Sequence, residues 1–231
     1  MRLVYGSAVA VALAMLAAPS LTAQMQMQDA NRPVTGGGIF AKGWMGKADG
    51  SADVKDAKLT EEGGVFHVTT GPASTYWNPA NKASGDYTVK ATFTEPKFMN
   101  LNDHPHPYGV FIGGNDLGTA QGTLLYCEAY GSGTFIVRGF GPAAFAMGGR
   151  RATANEAVHK AAGPGQPVTQ EIAMSVKGDK VDCAINGTVV ATYDKSEVVG
   201  PGKLKSLDGV YGFRFAHNTE GTVSGFGMTK N

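Results

Sequence analysis

The sequence predicts an all-β protein, a two-sheet antiparallel β-sandwich with at most one short helix. Short runs of alternating apolar and polar residues recur from about Ile39 to the C-terminus, and Gly, Pro, Asn and Asp divide them. The 231 residues include 33 glycines, which suit many tight turns better than a helical bundle. Short strands at close, regular spacing are typical of a sandwich or a barrel.

The first residues follow the order of charged, apolar and small residues that is typical of a secretory signal peptide. Arg2 supplies one positive charge, an apolar run extends from Leu3 to Ala18, and Ala23 is a small residue at a cleavage position. This run of 16 residues is shorter than the roughly 20 that a membrane-spanning helix needs. We therefore expect residues 1–23 to be removed and the protein to be exported, periplasmic or extracellular, with a retained N-terminal anchor as the alternative.

The remaining chain is expected to hold one domain. Residues 24–38 are polar and end in glycines, which predicts a flexible lead-in, and residues 39–231 form the β-sandwich. Loss of Arg2 changes the formal net charge from +1 to 0. Nucleic-acid binding needs concentrated Lys or Arg, so we expect no nucleic-acid partner. No membrane span is expected after cleavage.

Eleven runs are candidate strands. In chain order they are 64–70, 73–78, 86–95, 108–114, 123–130, 134–140, 170–177, 180–186, 188–194, 210–216 and 222–229. The segment Thr153–Gly163 has two interpretations. Thr153 and Glu156 could form a capping box and Gly163 a stop, which would give one short helix, or the segment could be a loop.

The run "VDCAINGTVVATYD" predicts a hairpin with a type I′ turn at Asn186-Gly187, because these residues tolerate positive φ. Ile185 then pairs with Thr188, and Cys183 pairs with Val190. Strand alternation places Val181, Cys183, Ile185 and Val190 on one apolar face.

A second hairpin turns at Gly131-Ser132-Gly133, and it pairs Tyr130 with Thr134 and Tyr126 with Arg138. One face is wholly apolar and is expected to face the core: Leu125, Cys127, Ala129, Phe135 and Val137. The opposite face carries Tyr126, Glu128, Tyr130, Thr134, Ile136, Arg138 and Phe140.

Cys127 and Cys183 are the only cysteines, and both are predicted to face the core. An even number of cysteines in an exported chain is consistent with a disulfide, and two buried thiols are the alternative. Neither cysteine has a Cys-X-X-Cys spacing or an adjacent histidine, which argues against a redox or nucleophilic role.

Metal ligands are sparse. His104 and His106 lie two residues apart around Pro105, but a metal site needs three or more ligands at defined geometry, so we expect no metal here. Asn115 and Asp116 are weak candidates for calcium because they lack the spacing of a known calcium loop. We therefore expect no cofactor.

The polar and aromatic face of the second hairpin is the candidate ligand site, with Tyr126, Glu128, Tyr130, Arg138 and Phe140 as its residues. Aromatic rings beside polar groups on a sheet can hold sugars. Tyr76 or Trp77 could add to this face, although alternation admits only one of them. Two other interpretations remain open: a loop covers the face, and Glu128 is simply an ion pair of Arg138.

The order of the strands resembles a concanavalin A-like jelly roll of the laminin-G-like or laminarinase-like type. The segments that carry the resemblance include "GDYTVKATFTEP", "PYGVFIGG", "LLYCEAYGSGTFIVRGF" and "GVYGFRFAHNTEGTVSGFGMTK", within Phe66 to Lys230. Related architectures include 3-keto-disaccharide hydrolase-like domains and lectin-like modules. The Glu-X-Asp-X-Glu strand of laminarinase-type hydrolases is absent here. The resemblance therefore implies a jelly roll with a concave sheet as its usual ligand face, and it transfers no catalytic residue.

Three functions are consistent with this sequence. The first is an exported, non-catalytic module that binds carbohydrate or another envelope component on its concave sheet. The second is a structural accessory subunit docked on a membrane or cell-surface protein complex. The third is a glycoside hydrolase-like enzyme, which would need two carboxylates flanking one site. Because only Glu128 lies in mid-strand on the candidate face, a non-catalytic role is favoured over an enzyme.

Overall fold

Two antiparallel sheets pack face to face in the computed structural model, which describes residues 30–50, 52–149 and 151–231. The predicted signal peptide, residues 1–23, and the first part of the predicted lead-in lie outside the described residues. Within that lead-in, the backbone N–H of Arg32 donates to Asn218 Oδ1 at 2.7 Å and the N–H of Gly38 donates to the Ala57 carbonyl at 2.8 Å.

One sheet has eight strands. They are β1 (Met45–Ala48), β4 (Ser74–Ala83), β6 (Pro107–Asn115), β7 (Thr123–Tyr130), β8 (Thr134–Phe140), β9 (Ala144–Met147), β10 (Thr153–Ala154) and β14 (Gly209–Phe215). Their order is β1-β4-β14-β6-β7-β8-β10, and β9 pairs with β8.

The other sheet has seven strands. They are β2 (Ala57–Glu62), β3 (Val65–Thr70), β5 (Tyr87–Glu95), β11 (Val168–Lys177), β12 (Lys180–Ile185), β13 (Thr188–Asp194) and β15 (Thr219–Lys230). Their order is β13-β12-β11-β5-β15-β3-β2. The prediction of a two-sheet antiparallel β-sandwich is confirmed.

Helical structure is confined to one α-helical turn, α1 (Lys195–Val198), and one 3₁₀ turn, Val54–Asp56, within the described ranges. Asp194 and Glu197 form the capping box of α1. The helical interpretation of Thr153–Gly163 is wrong: the segment begins as β10 and continues as turns. Bonds to neighbouring strands compete with helix formation there, because the N–H of His159 donates to the Gln170 side chain at 3.0 Å.

Across the part of the chain that the structure describes, no helix has the length and apolar character needed to cross a membrane.

The main core fills the space between the sheets. In β7 and β8 every residue predicted to face inward is in this core: Leu125, Cys127, Ala129, Phe135 and Val137. The predicted pairs of Tyr130 with Thr134 and Tyr126 with Arg138 are present in the observed register. The period-2 pattern of this hairpin therefore identified its two faces correctly.

The β12–β13 hairpin differs from prediction in one respect. Asn186 and Gly187 have φ of 50° and 81°, as a type I′ turn requires, and Ile185 pairs with Thr188. Cys183 pairs with Ala191, however, and not with Val190. A β-bulge between Cys183 and Ala184 shifts the register by one residue, which a simple count from the turn cannot anticipate.

A disulfide joins the two sheets. Cys127 in β7 and Cys183 in β12 have Cα atoms 6.0 Å apart and are bonded through their sulfurs. Both residues are fully buried within the main core. The bridge closes a sequence separation of 56 residues, so it links strands that are distant in the chain.

Candidate ligand-binding groove

The outer face of the eight-stranded sheet carries a second apolar cluster, separate from the main core. Its buried members are Trp77, Phe111, Leu124, Tyr126 and Ile136, and the half-buried rings of Tyr130 and Phe140 pack against it. Each of these side chains alternates with a core residue of the same strand. Aromatic groups therefore line both faces of this sheet.

One row of residues crosses this face and carries its charges. Arg214 in β14 is paired with Gly109 in β6, and Gly109 is paired with Glu128 in β7. Gly109 has no side chain, so the guanidinium of Arg214 reaches across it, and Arg214 Nε lies 3.5 Å from Glu128 Oε1. Both side chains are only 4% exposed.

Arg214 is held on several sides. Its Nη1 and Nη2 donate to the two carboxylate oxygens of Asp49 at 3.1 and 2.8 Å, in a bidentate arrangement. Nη1 also donates to the hydroxyl of Thr75. The guanidinium carbon lies 4.7 Å from the ring centre of Tyr126 and 5.0 Å from that of Phe140, within cation–π range. The position of this charge is therefore fixed.

Burial raises the pKa of Glu128 to about 7. Arg214 and Arg138 act against this rise through their positive charges, and Asp49 adds to it. Burial prevails because the guanidinium of Arg214 is shared with Asp49 and Thr75, and its contact with Glu128 is long, at 3.5 Å. The carboxyl of Glu128 can therefore hold or release a proton near neutral pH.

Two cavities lie on this face, and Asp49 and Arg214 line both of them. The first cavity is bounded by Trp77, Leu124 and Phe140. The lining of the second cavity includes Tyr126, Glu128, Tyr130, Arg138, His104, His106 and His217. The two cavities share the Asp49–Arg214 ion pair as lining, and we refer to them together as the groove.

The five residues proposed from sequence lie on one face, as alternation requires, but at different depths. Glu128 and Tyr126 are buried at the floor, with 3% and 7% exposure. Tyr130, Arg138 and Phe140 are half-buried along the groove. The two rings Tyr76 and Trp77 separate as expected: Trp77 joins this face, and Tyr76 enters the main core.

Three histidines from two loops share the second cavity. His104 and His106 precede β6, and His217 follows β14. Nδ1 of His104 lies 2.7 Å from Asp103 Oδ1, and Nδ1 of His106 lies 2.6 Å from the His217 carbonyl oxygen. The two Nε2 atoms of His104 and His106 are 2.8 Å apart.

The calcium candidates bind other protein groups. Asp116 forms an ion pair with Lys205, and the side-chain amide of Asn115 donates to the carbonyls of Gly113 and Asp208 at 3.1 and 3.0 Å. These contacts fix the end of β6, and the expectation that no calcium binds there stays a prediction.

Sequence reasoning missed Arg214, Asp49 and the contribution of His217. Arg214 had a detectable signal, because it is the one charged residue in the otherwise apolar run "VYGFRFA" of a central strand. Asp49 comes from the segment after β1 and His217 from the loop after β14, so only the tertiary fold brings them to the groove.

Comparisons with family models and with curated proteins find no match to this chain. Solved structures are similar in fold. A Bacillus subtilis protein of unknown function with a galectin-like fold has a TM-score of 0.51 at 16% identity, over 82% of this chain and 90% of that one.

Two further structures are more distant. A putative glycosyl hydrolase from Parabacteroides distasonis has a TM-score of 0.47 at 12% identity, over 81% of this chain and 100% of that one. The carbohydrate-binding module CBM66 from Bacillus subtilis has a TM-score of 0.44 at 11% identity, over 86% of this chain and 100% of that one. At these identities the similarity concerns the fold alone, and the two-sheet antiparallel β-sandwich of this chain is similar to that of the galectin-like protein.

Proposed function

We propose that this chain is an exported, non-catalytic module that binds carbohydrate in the groove on its eight-stranded sheet. The observation that carries the proposal is the fixed Asp49–Arg214–Glu128 array beside the rings of Trp77, Tyr126 and Phe140. The order of charged, apolar and small residues within residues 1–23 supports export.

The chemistry of the array suits a polyhydroxylated ligand. Carboxylate oxygens accept and guanidinium nitrogens donate hydrogen bonds, so Asp49 and Arg214 together can serve adjacent hydroxyl groups. The half-buried ring of Phe140 offers an apolar surface to the C–H face of a sugar. Because positive and negative charges are interspersed in the groove, a neutral ligand is favoured over a highly charged one.

A glycan screen with the mature chain tests this proposal, followed by calorimetric titration of the glycan that binds best. Phe140→Ala and Asp49→Asn should each weaken binding by roughly tenfold, which corresponds to about 1.4 kcal/mol. Val189→Ala is the matched control, because Val189 is an exposed apolar residue on the other sheet. The Val189→Ala variant should bind the glycan as tightly as the unchanged protein does.

Two results would contradict the proposal. One is a screen in which no glycan binds, and the other is a glycan whose affinity neither groove variant changes. If no glycan binds and the chain instead co-purifies with one fixed envelope protein through this face, the accessory-subunit alternative replaces the proposal.

Glycoside hydrolysis is a second candidate, favoured by one observation. Glu128 lies in the groove with a pKa of about 7, and a carboxyl with such a pKa can act as a general acid near neutral pH. Activity on a disaccharide or glucan that disappears in a folded Glu128→Gln variant would establish this function. Full activity in that variant would exclude Glu128 as the acid.

A further inference from the structure

Three imidazoles converge where the loop before β6 meets the loop after β14. One ring nitrogen from each of His104, His106 and His217 lies within 4.8 Å of one from each of the others. The sequence separates His106 from His217 by 111 positions, so the cluster is a product of the fold. His106 is buried, and His104 is exposed at the rim.

Hydrogen bonds set the orientation of two of these rings. A backbone carbonyl can only accept, so Nδ1 of His106 must donate to the His217 carbonyl oxygen. Nδ1 of His104 likewise donates to the carboxylate of Asp103. Carbonyl and carboxylate partners of this kind orient metal-binding histidines and fix the tautomer that presents Nε2 to the ion.

The two Nε2 atoms then face each other at 2.8 Å. Because both Nδ1 atoms are engaged with oxygen acceptors, both Nε2 atoms are turned toward the same point, where one cation can lie between them. In a tetrahedral zinc site with Zn–N distances of about 2.0–2.1 Å, two nitrogens lie roughly 3.3 Å apart, so a small outward movement of exposed His104 suffices.

Hydrogen bonds already link the two loops that carry the histidines. Asn102 donates through Nδ2 to the carbonyls of His217 and Asn218 at 3.2 and 2.7 Å, which joins the two loops. The hydroxyl of Thr219 also donates to the His217 carbonyl at 3.0 Å. Such preorganisation lowers the entropy that ion binding must overcome.

We propose that His104, His106 and His217 bind one Zn²⁺ ion in the wall of the second cavity. Imidazole nitrogen suits zinc, whereas calcium and magnesium prefer oxygen ligands. Three protein ligands leave a fourth position for water or for a ligand oxygen. The ion would lie beside the proposed carbohydrate groove, but the site does not depend on what the groove binds.

The test is calorimetric titration of the untagged, chelator-treated mature chain with ZnCl₂. One ion per chain should bind. His104→Ala should weaken binding by roughly 100-fold or more, because loss of a second-shell partner alone costs about 10–100-fold. Asp103→Asn should weaken it by roughly tenfold for that second-shell reason. His104 and Asp103 are both exposed, so these variants should fold.

His159→Ala is the control variant, because the Nδ1 of His159 bonds the Thr169 carbonyl at a different place on the surface. Its zinc affinity should be unchanged. A second readout uses Co²⁺ in place of Zn²⁺: a visible d–d absorption band should appear with the unchanged chain and be lost with His104→Ala and with His217→Ala.

The proposal fails if the chain takes up no zinc, which would mean that only a proton is shared by the histidine pair. It also fails if zinc binds the His104→Ala and Asp103→Asn variants as tightly as the unchanged chain, which would place the ion elsewhere.

Discussion

Arg214 Nε lies 3.5 Å from Glu128 Oε1, and the strand between them contributes only Gly109 to that row. This pair is buried on the outer face of a sheet whose other face forms the main core. Burial of two opposite charges is weak evidence for added stability, because their removal from water offsets much of the attraction. A role in the proposed groove accounts for such a pair better than stability does.

Gly109→Ala should destabilise the protein. A Cβ at this position would lie 1.9 Å from the carbonyl oxygen of Cys127 and 2.8 Å from Cα of Glu128, so β6 and β7 would have to separate. We expect the free energy of unfolding to fall by about 1–3 kcal/mol, which is the usual cost of overpacking a core. Urea denaturation measures this loss. Gly227→Ala is the matched strand control, because its Cβ would meet nothing within 4 Å.

The pH dependence of stability should reveal the buried carboxyls. Burial raises the pKa of Glu128 and of Glu95 from 4.5 to about 7 in the folded chain. The folded state therefore binds more protons than the unfolded state between these values, and the free energy of unfolding falls as pH rises through this window. Above about pH 7 both states are deprotonated, and this contribution to the slope ends.

Urea titrations at several pH values measure this slope. Glu128→Gln should reduce the change in the free energy of unfolding across this pH window by an amount on the order of 1–3 kcal/mol. Glu95→Gln should remove the remaining part, and the exposed Glu62→Gln should keep the slope of the unchanged protein. A Glu128→Gln variant with an unaltered slope would show that the folded-state pKa of Glu128 is near its ordinary value.

The disulfide should contribute strongly to stability. The chain-entropy model gives about 4 kcal/mol for a loop of this length, since the bridge spans a sequence separation of 56 residues. Thiol titration of the denatured, unreduced protein should find no free thiol. Reduction, or replacement of Cys127 and Cys183 by Ala, should lower the free energy of unfolding by about 2–4 kcal/mol. Equal stability before and after reduction would contradict a stabilising role.

Asn186 has a role beyond its turn geometry. Its Oδ1 accepts from the N–H of Glu171 at 2.8 Å, and its Nδ2 donates to the Ala157 carbonyl and to Gln170 Oε1 at 2.8 and 2.7 Å. Asn186→Gly keeps the positive φ of the turn and removes all three bonds, so we expect a loss of about 2–3 kcal/mol in denaturation experiments. At Gly187, the other turn residue, an added Cβ would meet nothing within 4 Å. A loss below about 0.5 kcal/mol would mean that water replaces these bonds.

The sequence was sufficient to predict features that depend on local periodicity. Alternation in β7 and β8 separated the core face from the groove face, and Asn186-Gly187 located a turn. Features set by distant contacts escaped prediction. The bulge at Cys183 shifted a register, and Arg214 became the ionic partner of Glu128 only because β14 inserts next to β6. His217 likewise reaches His106 through the closing of two loops.

Arg214→Lys tests whether the planar fork of arginine is required in the groove. A lysine keeps the positive charge, but it has no planar fork to make two parallel hydrogen bonds to Asp49 and no flat group to stack over Tyr126 and Phe140. We expect the free energy of unfolding to fall by about 2–4 kcal/mol, because a buried ion pair with poor geometry no longer offsets its desolvation. Chemical denaturation measures this loss, and the exposed Arg32→Lys should stay within about 0.5 kcal/mol of the unchanged protein. If Arg214→Lys is as stable as Arg32→Lys, a single positive charge at this position is enough for stability, and the bidentate geometry is not required.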